Sequence, residues 1–253
     1  MSSLRQWLCL ALATAFQISS APPDQSTPTP TAAELRFKFT PVHTDRRCVA
    51  LTFDDGPDPA LTPRLLDILA AHRAKATFFV VGSNVEKYPQ IVAREQREGH
   101  EIGNHTWWHP RLVDLADNDV REQLAKTDTA IRGVVGSRPK LMRPPGGAVF
   151  ARQENWIRAE FGYATILWDV DSFDWVRPPP APEAVCERIL NNVHPGAIIL
   201  CHDTRPGTIE AVPAVLSQLE AKHFEFVTVP ELLRLAAASP TPAPGDTKAK
   251  SKS

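Results

Sequence analysis

The chain has 253 residues, 43% of them apolar and 23% charged, with a formal net charge of -1. That length suits one large domain or two small ones, and the composition is that of a globular protein. The near-zero charge removes the global basic field expected of a nucleic-acid or anionic-membrane binder.

The first residues read as an export signal. Arg5 precedes the apolar run Trp7–Phe16, which is too short for a membrane span, and Ser19-Ser20-Ala21 offers small residues for cleavage. We expect 1–21 to be a signal peptide, and no stable membrane insertion unless the signal is retained. Residues 22–36 are rich in Pro and Thr and read as a spacer, and 239–253 read as a disordered tail. The folded domain is then 37–238. Of four cysteines, Cys9 lies in the signal. Cys48, Cys186 and Cys201 are an odd set without metal-finger spacing, so at least one thiol stays free.

Inside the domain, short apolar runs alternate with helical patterns. "VALTF" (Val49–Phe53) reads as a strand, followed by a helix with Thr62 as N-cap and Pro63 in its first turn. "ATFFVV" is the next strand, then a helix opening at Pro89 and ending at Gly99. "HEIGNH" precedes a long helix near Asn118–Val135. "KLMR", then a helix at Arg152–Phe161, then the strand "ATILWDV" continue the series. A helix from Glu183, the strand "GAIILCH", a helix near Val212–Lys222, the strand "FEFVTV" and a last helix at Pro230 complete it. About seven strands alternating with helices imply a parallel sheet, either doubly wound or closed as a barrel.

In such folds chemistry sits just beyond the C-terminal ends of strands. Those positions hold Asp54 and Asp55, His105 and His109, Arg143, Asp169, Asp171 and Asp174, and His202 and Asp203. His105 and His109, four apart, suit one metal ion. A strand-end Asp as third ligand makes an open, catalytic type of site. One of the paired acids can then ligate the metal while the other takes a proton from water. His202 suits a general acid, and Arg143 orients one carboxylate. Cys201 cannot act with His202 as nucleophile and base, because neighbours on a strand face opposite ways. Asp174 and Asp203 read as loop-fixing acids.

Five segments now occur in order: "TFDDGP" (Thr52–Pro57), "HTWWH" (His105–His109), "RPPGG" (Arg143–Gly147), "DSFDW" (Asp171–Trp175) and "LCH" (Leu200–His202). In this the chain resembles the polysaccharide deacetylases of NodB homology, carbohydrate esterase family 4, over about Arg47–Leu235. The resemblance implies a single domain with a distorted (β/α) barrel. It implies Asp54 as catalytic base held by Arg143, and Asp55, His105 and His109 as ligands of a divalent metal, usually zinc and sometimes cobalt or nickel. It implies His202 as acid tuned by Asp171, and Trp175 and Leu200 around the acetyl methyl. The family's third segment usually has Tyr where this chain has Gly146; the backbone N–H there serves the oxyanion. The substrate implied is an acetylated glycan, an N-acetylglucosamine polymer or acetylated xylan, met outside the cytoplasm. Two His and one carboxylate also describe a non-heme iron centre, and a sugar-binding module without catalysis is the third reading.

Overall fold

A computed structural model describes residues 42 and 44–238. The expected signal, spacer and tail lie outside the described residues.

Among the described residues, eight strands form one sheet in which every pairing is parallel. They are β1 (Cys48–Asp54), β2 (Ala76–Val80), β3 (Glu101–Asn104), β4 (Leu141–Met142), β5 (Ala164–Thr165), β6 (Val170–Asp171), β7 (Ile198–His202) and β8 (Glu225–Phe226). The order is β5-β4-β3-β2-β1-β7-β6, and β8 adds to the beginning of β1 through Cys48↔Glu225 and Val49↔Phe226. This is the expected (β/α) barrel, single-domain and distorted.

The distortion has a physical cause in one expected strand. "ATILWDV" is not continuous. Its first two residues pair with β4, while its last, Val170, pairs with β7 together with the following Asp171, at opposite edges of the sheet. The chain crosses between those edges at 166–169. There the Ile166 and Leu167 carbonyls accept N–H groups from the Arg143 side chain rather than from a strand. A buried guanidinium thus occupies the seam that a ladder would otherwise close. "FEFVTV" is shortened similarly: Val229 already begins a helix, and its N–H donates to Thr77 Oγ1.

Among the described residues, eight α-helices cover the sheet: α1 (Leu61–Ala71), α2 (Gly82–Lys87), α3 (Pro89–Arg97), α4 (Asp117–Val135), α5 (Ala151–Phe161), α6 (Pro182–Asn192), α7 (Pro206–Ala221) and α8 (Val229–Ala238). Three depart from expectation. Helix α1 starts one residue before Thr62, because Asp58 Oδ1 accepts the Ala60 and Leu61 N–H groups. That frees the Thr62 hydroxyl to donate to Asp203. Helix α7 starts at Pro206, not near Val212; Pro213 lies inside it at the cost of one backbone hydrogen bond. The short helix α2 carries no apolar period of its own and was not foreseen.

β1 is buried along its whole length, as expected of a strand covered on both faces. Val49, Leu51 and Phe53 pack against the helices with Leu65, Leu66, Val212 and Leu216. Cys48 and Ala50 face the other way, among Phe79, Ile198 and Leu232. The alternation sends Thr52 and Asp54 to that same inner side. Cys48, Cys186 and Cys201 are all buried and free.

Candidate active site

The register of the parallel sheet gathers the site. Asp54 is paired with His202 on one side and Phe79 on the other, and Asn104 at the end of β3 is paired with Met142, one residue before Arg143.

Arg143 is fully buried, and its donors are satisfied. Nη1 donates to Thr52 Oγ1 at 2.7 Å and to Asp54 Oδ1 at 2.8 Å, Nε to the Ile166 carbonyl and Nη2 to the Leu167 carbonyl. Its plane lies 4.2 Å from the Phe79 ring centre. Burial raises the pKa of Asp54, and the charges of Arg143 and His202 oppose the rise. Asp54 Oδ2 faces His105 Nε2 at 3.7 Å.

Asp55, His105 and His109 present one donor atom each, all within 4.8 Å of one another. Asp55 Oδ1 lies 3.2 Å from His109 Nε2 and 3.6 Å from His105 Nε2, is buried, and accepts no hydrogen bond. His105 Nδ1 sits 2.7 Å from the Arg143 carbonyl, so Nδ1 carries the proton and the Nε2 lone pair turns toward Asp55. Burial keeps the ring neutral, with its pKa down near 3. An orphaned carboxylate oxygen facing a neutral imidazole lone pair, with a second, more exposed imidazole beside them, fits a divalent cation.

Local backbone makes this cluster. Asp55, Thr106 and His109 all have positive φ (79°, 68° and 62°), which costs about 1–3 kcal/mol per residue and persists only under constraint. The constraints are polar side chains that the sequence reading passed over. Asn84 donates to the Asp55 carbonyl, and Asn104 Oδ1 accepts the Thr106 N–H. Thr106 Oγ1 accepts the His109 N–H, and Gln123 Oε1 accepts those of Trp107 and Trp108. Helix α2 closes the loop from below: Gly82 and Ser83 N–H donate to the Thr106 and Trp107 carbonyls. A Cβ on Gly82 would stand 2.4 Å from the Trp107 ring, so only glycine permits this approach.

On the opposite side, His202 Nδ1 lies 2.6 Å from Asp174 Oδ1, while Asp174 Oδ2 accepts the His202 N–H and the Thr208 hydroxyl. Burial works against charge on His202. The hydrogen bond and charge of Asp174, with Asp54 and Asp55, outweigh it and lift the pKa to about 9. This corrects the expectation that Asp171 serves His202. Asp171 Oδ1 accepts the Phe173 N–H and Trp175 Nε1–H, and Oδ2 accepts Trp168 Nε1–H. The carboxylate three residues later reaches the histidine, because Phe173 at φ 54° turns the chain between them. Asp203 accepts the Thr62 hydroxyl, as a loop-fixing acid would, but it is fully buried and its pKa rises to about 7, through burial and then the charge of Asp55.

The expected substrate residues fall around this cluster. Leu200 is buried on β7 in register with Thr52 and Asp171. Trp175 is half exposed and stacks with Phe173. Gly146 is exposed at φ 61°, with open space where a side chain would project.

A buried acid–arginine pair, three donor side chains that could hold a metal and a histidine–carboxylate pair at the C-terminal end of a parallel barrel point to a hydrolase class. The family model for polysaccharide deacetylase matches residues 42–166, and the chain belongs to the polysaccharide deacetylases, carbohydrate esterase family 4, hydrolases of non-peptide carbon–nitrogen bonds. It is 40% identical over 190 residues to a Bacillus cereus protein described as peptidoglycan-N-acetylglucosamine deacetylase, covering 74% of this chain and 68% of that one. It is 36% identical to the Bacillus subtilis peptidoglycan-N-acetylmuramic acid deacetylase PdaC over 76% of this chain but only 40% of PdaC. The PdaC structure superposes with a TM-score of 0.71 at 35% identity, covering 76% of this chain and 93% of that one. A Bacillus anthracis protein described as a family pseudoenzyme superposes equally well (TM-score 0.71, 32% identity, 76% of this chain and 67% of that one). Membership alone therefore does not carry catalysis; the side chains must.

Proposed function

We propose that the chain is an exported, divalent-metal-dependent N-deacetylase of peptidoglycan that hydrolyses N-acetyl groups of its N-acetylglucosamine residues and releases acetate. The observation that carries the reading is the division of the adjacent acids. Asp54 is tied to Arg143 and turned inward, while Asp55 is left with an orphaned oxygen among imidazole nitrogens. A divalent ion there, zinc before cobalt or nickel, would be held by Asp55, His105 and His109 and would supply a more acidic water and a polarised acyl carbonyl.

The chain's own groups do the rest. Asp54, raised by burial, is the base that takes a proton from the attacking water; Arg143 fixes its orientation. His202, charged to about pH 9, is the acid that returns a proton to the leaving amine, held by Asp174. The Gly146 N–H supports the developing oxyanion. Trp175 and Leu200 enclose the acetyl methyl, and Asp171 positions Trp175 through its indole N–H. Peptidoglycan is favoured over acetylated xylan by the relatives, and the βα architecture speaks against a non-heme iron centre. A pure binding module would not need the Asp54 and His202 environments. The apolar N-terminal run and a wall substrate support export; among the described residues no helix is long and apolar enough to cross a membrane.

The test is acetate release from peptidoglycan, chitin oligomers, poly-N-acetylglucosamine and acetylxylan, with and without a chelator. Release from peptidoglycan that is lost on chelation and restored by zinc supports the reading. Release from acetylxylan alone would replace it.

A further inference from the structure

A cavity lined by both polar and apolar groups lies beside the histidine–carboxylate pair, sharing Asp174 with it, and its arginines take no part in the chemistry above. It measures about 100 Å³, room for several waters or one small acid group. Its walls come from the loop after β6 and the first turn of α7: Asp174, Arg177, Pro180, Arg205, Gly207 and Thr208. Asp174 cannot balance the two arginines, because both its oxygens are committed to His202 and Thr208. Among the described residues neither guanidinium has a carboxylate within ion-pair distance, and Arg205 Nε is buried without an acceptor. Burying an N–H of a charged group unpaired is costly, so its acceptor is expected from outside the chain. The N-terminal end of α7 adds partial positive charge on the same wall. Planar guanidinium forks match carboxylates in geometry as well as in charge. Arg177 is exposed, two residues beyond Trp175, so the cavity shares a loop with the indole proposed above to enclose the acetyl methyl.

We propose that Arg177 and Arg205 bind a carboxylate carried by the glycan strand, the lactyl carboxylate of an N-acetylmuramic acid unit. This rests on the deacetylase reading and sharpens it: the substrate is anionic beside the reacting sugar, which sets a peptidoglycan strand apart from uncharged chitin. Asp174 is the shared wall, so the anion site and the acid pair are built from one side chain.

The test is equilibrium binding to the full, zinc-loaded chain, read by tryptophan fluorescence and needing no turnover. The probes are a tetrasaccharide of alternating N-acetylglucosamine and N-acetylmuramic acid, its methyl ester on the lactyl group, and chitotetraose. The free acid should bind about tenfold tighter than the ester or chitotetraose, and Arg177→Gln and Arg205→Gln should each erase most of that preference. Arg177 is at the surface, so its variant carries the test even where Arg205→Gln fails to fold. Equal binding of acid and ester by the wild type, or a preference that survives Arg177→Gln, overturns the proposal. Saturation by free lactate or inorganic phosphate at the tetrasaccharide's concentration also overturns it, since the site would then read a small ion rather than the strand. If no substrate releases acetate, the deacetylase reading falls while the acid-over-ester preference still decides this one.

Discussion

His202 Nδ1 and Asp174 Oδ1 stand 2.6 Å apart, and the same carboxylate holds the His202 backbone N–H and the Thr208 hydroxyl through its other oxygen. One side chain therefore sets the position, the tautomer and the charge of the histidine. Asp171, nearer the start of the same segment, holds the Trp168 and Trp175 indoles and the Phe173 N–H but not the histidine.

From this pair follows the pH profile. With Asp54 as base and His202 as acid, kcat/KM should be bell-shaped. Its acid limb should lie above the ordinary aspartate value of 3.8, and its alkaline limb near 9. In Asp174→Asn the main influence raising His202 is gone, so the alkaline limb should move down toward or below 6.5. Asp171→Asn should leave that limb in place. A profile moved by Asp171→Asn and not by Asp174→Asn would reverse the assignment.

The same shift bears on stability. The folded pKa of His202 is raised, so its contribution is complete below about pH 6.5 and is lost as pH rises through about 9. Thermal melts of the wild type should fall over that window. Those of His202→Gln should fall less, measured by calorimetry at matched ionic strength.

Asp54→Asn keeps the shape and one hydrogen bond to Arg143 but removes the base. Acetate release should drop by about 10²–10⁴-fold with zinc content unchanged by elemental analysis. Full activity in this variant would remove Asp54 from the role.

Arg143→Ala leaves Asp54 buried without its counter-charge and opens the seam at 166–169. It should destabilise the fold by about 3–5 kcal/mol in urea unfolding, beyond any effect on rate. Arg143→Lys should recover little, since one ammonium cannot reach Thr52, Asp54 and two carbonyls in the fork geometry.

Gly82→Ala places a methyl against the Trp107 ring, so it should cost about 1–3 kcal/mol of stability and weaken zinc binding by displacing His105 and His109. A zinc affinity equal to wild type would show that α2 does not set the loop.

Much of this was legible along the chain. Continuous apolar runs such as Val49–Phe53 announce covered parallel strands, and strand ends announce where polar chemistry can collect. One carboxylate of the Asp54–Asp55 pair beside His105 and His109 follows from that rule, because all lie at strand ends that the sheet brings together; that Asp55 is the one facing the imidazoles is implied in the sequence only by the family resemblance. What could not be read locally was which acid meets His202. Asp171 and Asp174 are three residues apart in one irregular loop, and only the turn at Phe173 decides which one points inward. Asn84 and Gln123 escaped for the same reason, since the backbone each amide meets lies 15 to 29 residues away, and Asn104 because only the positive-φ turn at Thr106 brings an N–H two residues on to its Oδ1.

The sequence by itself determined the βα alternation and the chemical types at the strand ends, since periodicity and residue chemistry are local properties. Only the tertiary structure decided the division of labour. Arg143, filling the seam where "ATILWDV" breaks, makes Asp54 the inward acid; the left-handed turn at Asp55 sends its neighbour outward to the imidazoles. Adjacent carboxylates become unequal through burial and counter-charge, which a linear chain does not possess until distant segments pack around it.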